Sequence, residues 1–479
     1  MKSQGNSNLR VKDALSEAQR RRDAGLPAWG WFDRKVRGHM EARHGLPSTS
    51  IAPESMEAVL ADRLNQPSAR PRTIYVHVPF CTRICTFCSF FRHPKGRSDL
   101  QAYTHAVANQ IEQMSLTRWA REGPPFAAVY FGGGSPTALE PGQLTRLISA
   151  IRERYRLAPD CEFTVECRLD GMDEQYLLHL RDAGVNRLSF GVQSFDTAVR
   201  RSVGRIADRE QVLETITMAA RLGFQQISID LIYNLPDQPR SSWADDIRTL
   251  IGTPATATSV YALIPMQGSA LVRQIEAGRR KPLGDCEREY EMFTHSYDEL
   301  MDRPDWQRFS FHHFGDCRAE RSVYNRVRMG TMDTLALGCG AGGRLGTVSY
   351  MNAMDVMHYI EAMTHGREAA LMVSDQPQDL LDLFAAYQLS ECEGVDGAAL
   401  SAVLPTSAEL IERLICLGLV EEQHGRLILT RDGCFWGYNI TKVITECIVE
   451  HVSPDYQPPT APHRLHVLDS EKGVIPCSS

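Results

Sequence analysis

Tyr75-Val-His-Val-Pro-Phe-Cys81-Thr-Arg-Ile-Cys85-Thr-Phe-Cys88 is the stretch on which the reading of this 479-residue chain turns. Its first half, Thr73–Val78, is β-rich and reads as a strand. Three cysteines then follow within eight residues, on what reads as a loop. They form the one tight group among thirteen cysteines. Thiolates are soft ligands that suit an iron–sulfur cluster or zinc. A [4Fe–4S] cluster with a complete protein shell takes four cysteines. Three leave one iron open to a small chelator. A structural zinc would want a fourth ligand, and His77 or His93 could supply it. But His77 lies inside the expected strand, and no second cysteine pair follows at zinc-finger distance, so a cluster is the preferred reading.

Outward from this loop a pattern repeats. β-rich runs recur at Ala127–Phe131, Glu162–Glu166, Arg187–Val192, Ile227–Tyr233 and Ser259–Ile264. Helix-compatible stretches lie between them at Leu100–Trp119, Gly142–Tyr155, Asp173–Ala183, Arg209–Leu222 and Ser242–Ile251. Apolar strands alternating with helices predict an α/β fold with a parallel sheet. Six such units suit a partial (β/α)6 barrel better than a closed eight-stranded one. Residues 1–70 read as a helical extension with amphipathic pieces at Lys12–Arg22 and Glu54–Leu64, ending in the linker-like Gln66–Arg72. The barrel should span 71–265. Residues 266–370 are less regular and read as an extension of the core that covers the substrate. Residues 371–453, with helical patterns at Leu380–Tyr387, Ala398–Ala402 and Ala408–Leu417 before a hairpin turning at His424-Gly425, suggest a winged-helix-like domain. A Pro-rich tail, 454–479, closes the chain.

The formal charge of −7 makes non-specific nucleic-acid binding a poor expectation. No segment approaches the apolar length of a membrane span. The polar start, MKSQGNSNLR, lacks the apolar stretch of a signal peptide, so a cytoplasmic location with reduced thiols is expected.

Other motifs sit at strand ends. Gly132-Gly133-Gly134-Ser-Pro follows the second strand, where glycines let a backbone approach a ligand. By itself it also reads as a tight strand–helix turn. Glu166 ends the third strand, Gln193 the fourth, and Asp230 and Ile232 the fifth. Arg205 follows in Val203-Gly-Arg, with Arg200 and Arg201 as competitors for any carboxylate.

The cysteine spacing CxxxCxxC, with Phe87 before the last cysteine, resembles the radical S-adenosylmethionine (SAM) signature. More narrowly, YVHVPFC, FGGGSPT, RLSFGVQSFD, DLIYNLP and LGCGAGG, in this order from Ile74 to Gly343, resemble the oxygen-independent coproporphyrinogen dehydrogenase superfamily. The C-terminal LTRDG at Leu429–Gly433 is similar too. The resemblance implies a [4Fe–4S] cluster on Cys81, Cys85 and Cys88, and SAM on its open iron. It implies SAM contacts from Tyr75, Gly132, Gly133, Gly134, Gln193, Gly340 and Ala341. Glu166 would bind amino or hydroxyl groups and Arg205 the carboxylate. Asp230 would bind the ribose and Ile232 would pack on adenine. Where the family often continues after Glu166 with a proline-containing sequence, this chain has Cys167-Arg168-Leu169-Asp170.

Three branches of the superfamily compete. The dehydrogenases proper carry a further cysteine two residues after the third, where this chain has Phe90. The haem chaperones bind haem without established turnover. The anaerobic haem-utilisation enzymes, or anaerobilin synthases, are radical SAM methyltransferases that open the haem ring. This chain resembles the third branch in Cys85-Thr-Phe-Cys88, in the segment Arg318–Asn325 and in Gly338–Arg344. That branch implies haem as substrate and a reductant such as flavodoxin or a flavin reductase. The segment 309–344 is expected to line the substrate cavity. Arg318, Arg321, Arg326, Arg328 and Arg344 are candidate propionate partners. His312, His313, Cys317 and Tyr324, with Asn325 beside it, are candidates at haem iron. For any one of these residues a solvated basic loop is the plainer reading. No residue earns a catalytic role from sequence.

Overall fold

The structure is a computed structural model. It describes residues 11–43, 46–88, 90–328, 332–367, 370–386, 394–398, 400, 404 and 407–452, with two short strands at His466–Val467 and Ile475–Pro476. Most of the expected 454–479 tail, Tyr387, Cys392 and part of Ala398–Ala402 lie outside the described residues.

Six strands form the centre of one large sheet: β1 (Arg72–Val78), β2 (Phe126–Gly133), β3 (Leu157–Cys167), β4 (Arg187–Gln193), β5 (Gln226–Tyr233) and β6 (Ala257–Ala262). They are hydrogen-bonded in that order and all parallel, as short βα connections require. The intervening helices begin where the sequence supplies caps. Asp173 accepts from the Tyr176 N–H, and Asp208 and Gln211 form a reciprocal capping box.

The 266–370 segment widens the sheet at both ends. Beyond β6 lie β7 (Trp306–Ser310) and β8 (His313–Asp316), with β8 antiparallel to β6. Beyond β1 lie β9 (Asp333–Leu337), β10 (Gly342–Leu345), β11 (Val348–Asn352) and β12 (Ala370–Asp375). Strand β9 is parallel to β1, which adds a seventh parallel strand to the six expected. The sheet's edge strands, Thr49–Ser50 and β7, do not pair, so this is a partial barrel.

Alternation decides the two faces. Ile74, Val76, Val129, Phe131, Phe163, Val165, Leu188, Phe190, Ile227 and Ile229 point to the helices and are buried. The opposite, inner face carries Tyr75, His77, Tyr130, Glu162, Glu166, Arg187, Ser189, Asp230 and Ser259, brought side by side by the register. A polar inner face needs partners for its donors and acceptors, and that requirement shapes the site.

Residues 378–452 hold helices Gln378–Ala386, Ser407–Cys416 and Gly437–Val452 and a three-stranded sheet. The hairpin Val420–Gln423/Arg426–Leu429 turns at His424-Gly425, in a winged-helix-like arrangement. The N-terminal extension packs into the body: Trp436 donates its indole N–H to the Ala28 carbonyl, and Lys35 pairs with Glu289 at 2.6 Å. Among the described residues no helix is long and apolar enough to cross a membrane.

Candidate active site

The C-terminal ends of β1 to β6 place the motifs together. Cys81 and Cys85 are buried and Cys88 half-buried. The loop is held from three sides: the Thr86 N–H donates to the Val203 carbonyl at 3.2 Å, the Leu271 N–H to the Thr86 carbonyl at 2.9 Å, and the Arg168 guanidinium to the Arg83 carbonyl. Burial, reinforced by Cys88, pushes the Cys81 thiol up to about 11, against the pull of Arg168. Iron must therefore displace protons as it binds. Among the described residues no three histidine, cysteine or acidic side chains form a ready-made single-metal cage. Ligands to three different irons of a cubane need not converge on one point. His77 is not a fourth ligand: its Nδ1 meets the Tyr75 hydroxyl at 2.9 Å and its Nε2 the Phe91 carbonyl at 3.4 Å. Burial holds its ring at about 4, so it is neutral.

The glycine turn is required by close approach. Gly133 has φ +112°, and a Cβ there would stand 2.7 Å from the His77 ring. A Cβ on Gly134 would stand 2.7 Å from the Pro79 backbone, just ahead of Cys81. Glu166 accepts from the Tyr130 hydroxyl at 2.7 Å and the Gly133 N–H at 3.2 Å, which fixes the carboxylate at the mouth.

Gln193 sits at φ 66°, and its Oε1 is buried without a hydrogen-bond partner, as is Nε of Arg205. Both side chains lie over Gly191, 3.1 Å from where its Cβ would be. Arg200 is spent elsewhere: Nε donates to Ala207 O at 2.6 Å, and Nη1 donates to the Val192 and Ser194 carbonyls. Arg201 is exposed. Asp246, fully buried, accepts from Ser194 Oγ at 2.8 Å and Phe195 N at 2.6 Å, steadying the loop after Gln193. Asp230 accepts from Ser189 Oγ at 3.1 Å; burial raises its pKa against the pull of that hydroxyl and of Arg187. Ile232 joins Phe87, Val203, Leu235 and Leu271 in an apolar cluster against the cysteine loop. Gly338, at φ +94°, would meet His77 O at 2.4 Å with any Cβ, and Gly340 would meet the Phe91 ring at 2.5 Å. These two glycines, with buried Ala341 beside them, let β9 pack tightly behind the cysteine loop.

Residues 75–250 match the Radical SAM superfamily. The chain is 30% identical to anaerobilin synthase of Escherichia coli O157:H7 over 418 residues, which is 86% of this chain and 92% of that one. It belongs to the radical SAM superfamily, in the oxygen-independent coproporphyrinogen dehydrogenase group. It is also 30% identical to the heme chaperone HemW of Bacillus subtilis, over 60% of this chain and 75% of that one. The coproporphyrinogen III oxidase HemN of Escherichia coli has the same fold, with a TM-score of 0.70, 23% identity, and coverage of 84% of this chain and 94% of that one.

As a radical SAM protein the chain binds a [4Fe–4S] cluster and SAM. The residues present fit both. Three thiols leave an iron open, and Gln193 and Arg205, side by side over Gly191, each keep a buried polar atom without a hydrogen-bond partner. The donor set favours Arg205 over Arg200 for the SAM carboxylate. Arg205→Ala should weaken SAM binding about ten- to hundredfold with the cluster intact, the usual loss for one charge-assisted bond. Equilibrium SAM binding on the reconstituted protein checks this; unchanged affinity moves the contact elsewhere.

Sequence did not single out Arg168. It bonds Asp170 at 2.7 Å as well as Arg83 O, and its Nη2 is buried without a hydrogen-bond partner beside Cys81 and Cys85. The signal available was an arginine just past Glu166 at the strand end that carries the chemistry. It occupies the segment that departs from the family's proline-containing sequence.

Arg318 and Arg321 correct an expectation. Arg321 pairs with Asp160, ahead of the inward Glu162 of β3, and Arg318 with Asp305 and Asp316, beside the start of β6. Both lie at the N-terminal end of the barrel, opposite the cysteines. The cause is the antiparallel β8, which carries the chain from the mouth at His312 down to Asp316. His313 is buried between Ser259 Oγ at 2.9 Å and Glu320 at 3.4 Å. Tyr324 is buried and stacks on Tyr130 at 4.5 Å, while Asn325 is exposed. Tyr324 thus lies at the barrel floor, while His313 lies nearer the mouth, in register with Ser259 beside Asp230. His312 lies at the mouth, its ring 4.8 Å from Tyr261.

Proposed function

We propose that this chain degrades haem without oxygen: it transfers a methyl group to the macrocycle, opens the ring to a linear tetrapyrrole and releases iron. The observation that carries this reading is the span of the likeness to anaerobilin synthase, 92% of that chain against 75% of the heme chaperone. When bound, the cluster and SAM supply a 5′-deoxyadenosyl radical. Glu166, Gln193 and Arg205 orient SAM at the mouth. Tyr261 and Ile264, 38% and 37% exposed, together with Phe90, 71% exposed where a dehydrogenase has its additional cysteine, offer apolar surface for a flat macrocycle. His312, beside Tyr261, is the candidate for haem iron.

With haem, SAM and a low-potential reductant, anoxic protein should bleach the Soret band and yield a linear tetrapyrrole that has gained one methyl carbon. With coproporphyrinogen III it should give no decarboxylated product. Haem that is retained but never opened makes the chain a haem carrier; decarboxylated coproporphyrinogen makes it a dehydrogenase.

A further inference from the structure

Arg168 stands where three loops of the mouth meet. Its backbone N–H donates to Thr137 Oγ1 at 3.2 Å, just past the three-glycine turn. Its Nη1 donates to the carbonyl of Arg83, midway in sequence between Cys81 and Cys85. Its Nε donates to one oxygen of Asp170 at 2.7 Å, and the other oxygen accepts from the Ala207 N–H at 3.3 Å, two residues past Arg205. Nη2 is buried and has no hydrogen-bond partner among the described residues. The side chain is 6% exposed, whereas Arg83 is exposed and Arg92 and Arg205 are half-buried.

Holding the loops together is the work of the backbone N–H, Nε and Nη1. It leaves the charge and the spare donor unexplained, and a buried donor left unmade is costly. Asp170 offsets part of the charge. The other groups of opposite sign that act on Arg168 are Cys85 and Cys81. A cluster held by these thiolates takes on one more negative charge when it is reduced. A cation kept out of water acts strongly on such a change. Net charge and hydrogen bonds at the sulfurs are among the levers that set a cluster's potential.

We propose that Arg168 is a positioning residue for the cluster: it fixes the cysteine loop at Arg83 and, through its buried charge and unspent N–H donor, raises the cluster's reduction potential. This concerns the cluster alone and holds whichever tetrapyrrole is turned over.

The test is a redox titration of the full chain with its cluster reconstituted, without SAM or haem. Visible absorbance and the paramagnetic resonance of the reduced cluster report the ratio of reduced to oxidised protein. Iron content is measured on every variant. Arg168→Met removes the charge and the donors at similar length. At a fixed solution potential its reduced-to-oxidised ratio should fall about tenfold, a shift of about 59 mV for a one-electron couple. Arg168→Lys keeps the charge and should fall less. Asp170→Asn removes the carboxylate that offsets the guanidinium, so its ratio should rise. Opposite signs separate the two roles, because a clasp that only held the loops would be loosened by both changes. The loss in Arg168→Met should persist at about 1 M salt, where exposed charges are screened within about 3 Å. An unchanged ratio in Arg168→Met overturns the proposal, as does an Arg168→Lys ratio as low as that of Arg168→Met, or a loss that salt abolishes. If Arg168→Met does not take up its full iron, Asp170→Asn decides: a raised ratio supports the proposal, and an unchanged or lowered one overturns it.

Discussion

Protein carrying Cys81→Ala, Cys85→Ala and Cys88→Ala together is expected to hold no cluster after anoxic reconstitution. Bound iron should fall from about four per chain, the stoichiometry of a cubane, to background, and SAM cleavage should end with it. The expectation rests on the donor set. These three thiols sit on one loop fixed by Arg168, Val203 and Leu271, and His77 has both ring nitrogens occupied. Other described cysteines are ill placed to substitute: Cys161 and Cys167 are buried along β3, Cys434 is buried in the C-terminal region, and Cys416 is exposed there. Cys416→Ala should therefore retain a full cluster. The triple variant should stay folded, because the loop's flanks are held by the Gly134 N–H on Val78 O, the His93 N–H on Pro79 O and the contact of His77 with the Phe91 carbonyl. Iron content and the visible absorbance of the cluster report the result. A triple variant that still carries about four irons would place the cluster on other cysteines.

The strands were legible because their outward faces are apolar at every second residue. Expected runs such as Arg187–Val192 and Ile227–Tyr233 differ from the observed β4 and β5 by one residue. Capping residues such as Asp173 and Asp208 marked the helix starts equally well. The site was legible where function forces residue type: three thiols in a row, glycines with no room for Cβ, a carboxylate at a strand end.

What stayed hidden is long-range. Segment 266–370 looked irregular because its strands are short and pair with distant ones, β8 with β6 and β9 with β1. Nothing local distinguishes Arg318 from a mouth-lining arginine. Its position follows from which way β8 runs, and that is set by the partner strand. The same ignorance left Arg200, Arg201 and Arg205 equivalent in sequence, though one is bonded to carbonyls, one exposed and one laid over Gly191 beside Gln193.

Glu320→Gln is expected to destabilise the barrel by about 3–5 kcal/mol, the usual cost of removing one partner from a buried ion pair. Glu320 is 2% exposed and pairs with Arg187 at 3.1 Å, and its second neighbour is His313. Arg187 is itself only 1% exposed, so the amide would leave a guanidinium in the barrel interior with Glu162 and Asp230 as its remaining carboxylate neighbours. Glu162 already accepts from the Val323 and Tyr324 N–H groups at 2.8 and 3.1 Å, which seats the helix Val323–Arg328 under the stacked Tyr130 and Tyr324. Drawing Glu162 toward Arg187 would loosen that seat, so Glu162 cannot take both tasks. Replacing the whole pair, Arg187→Met with Glu320→Leu, should recover part of the loss, because both charges of the pair go together, while the Glu162 carboxylate loses its guanidinium neighbour but keeps the Val323 and Tyr324 N–H groups. Denaturant midpoints of the three proteins measure this, and SAM affinity measures how far it reaches. The Tyr130 hydroxyl bonded to Glu166 links floor to mouth, so the single variant should weaken SAM binding as well as stability, and the double variant should restore part of both. A single variant as stable as the parent would mean that the Arg187–Glu320 pair does not hold the barrel floor.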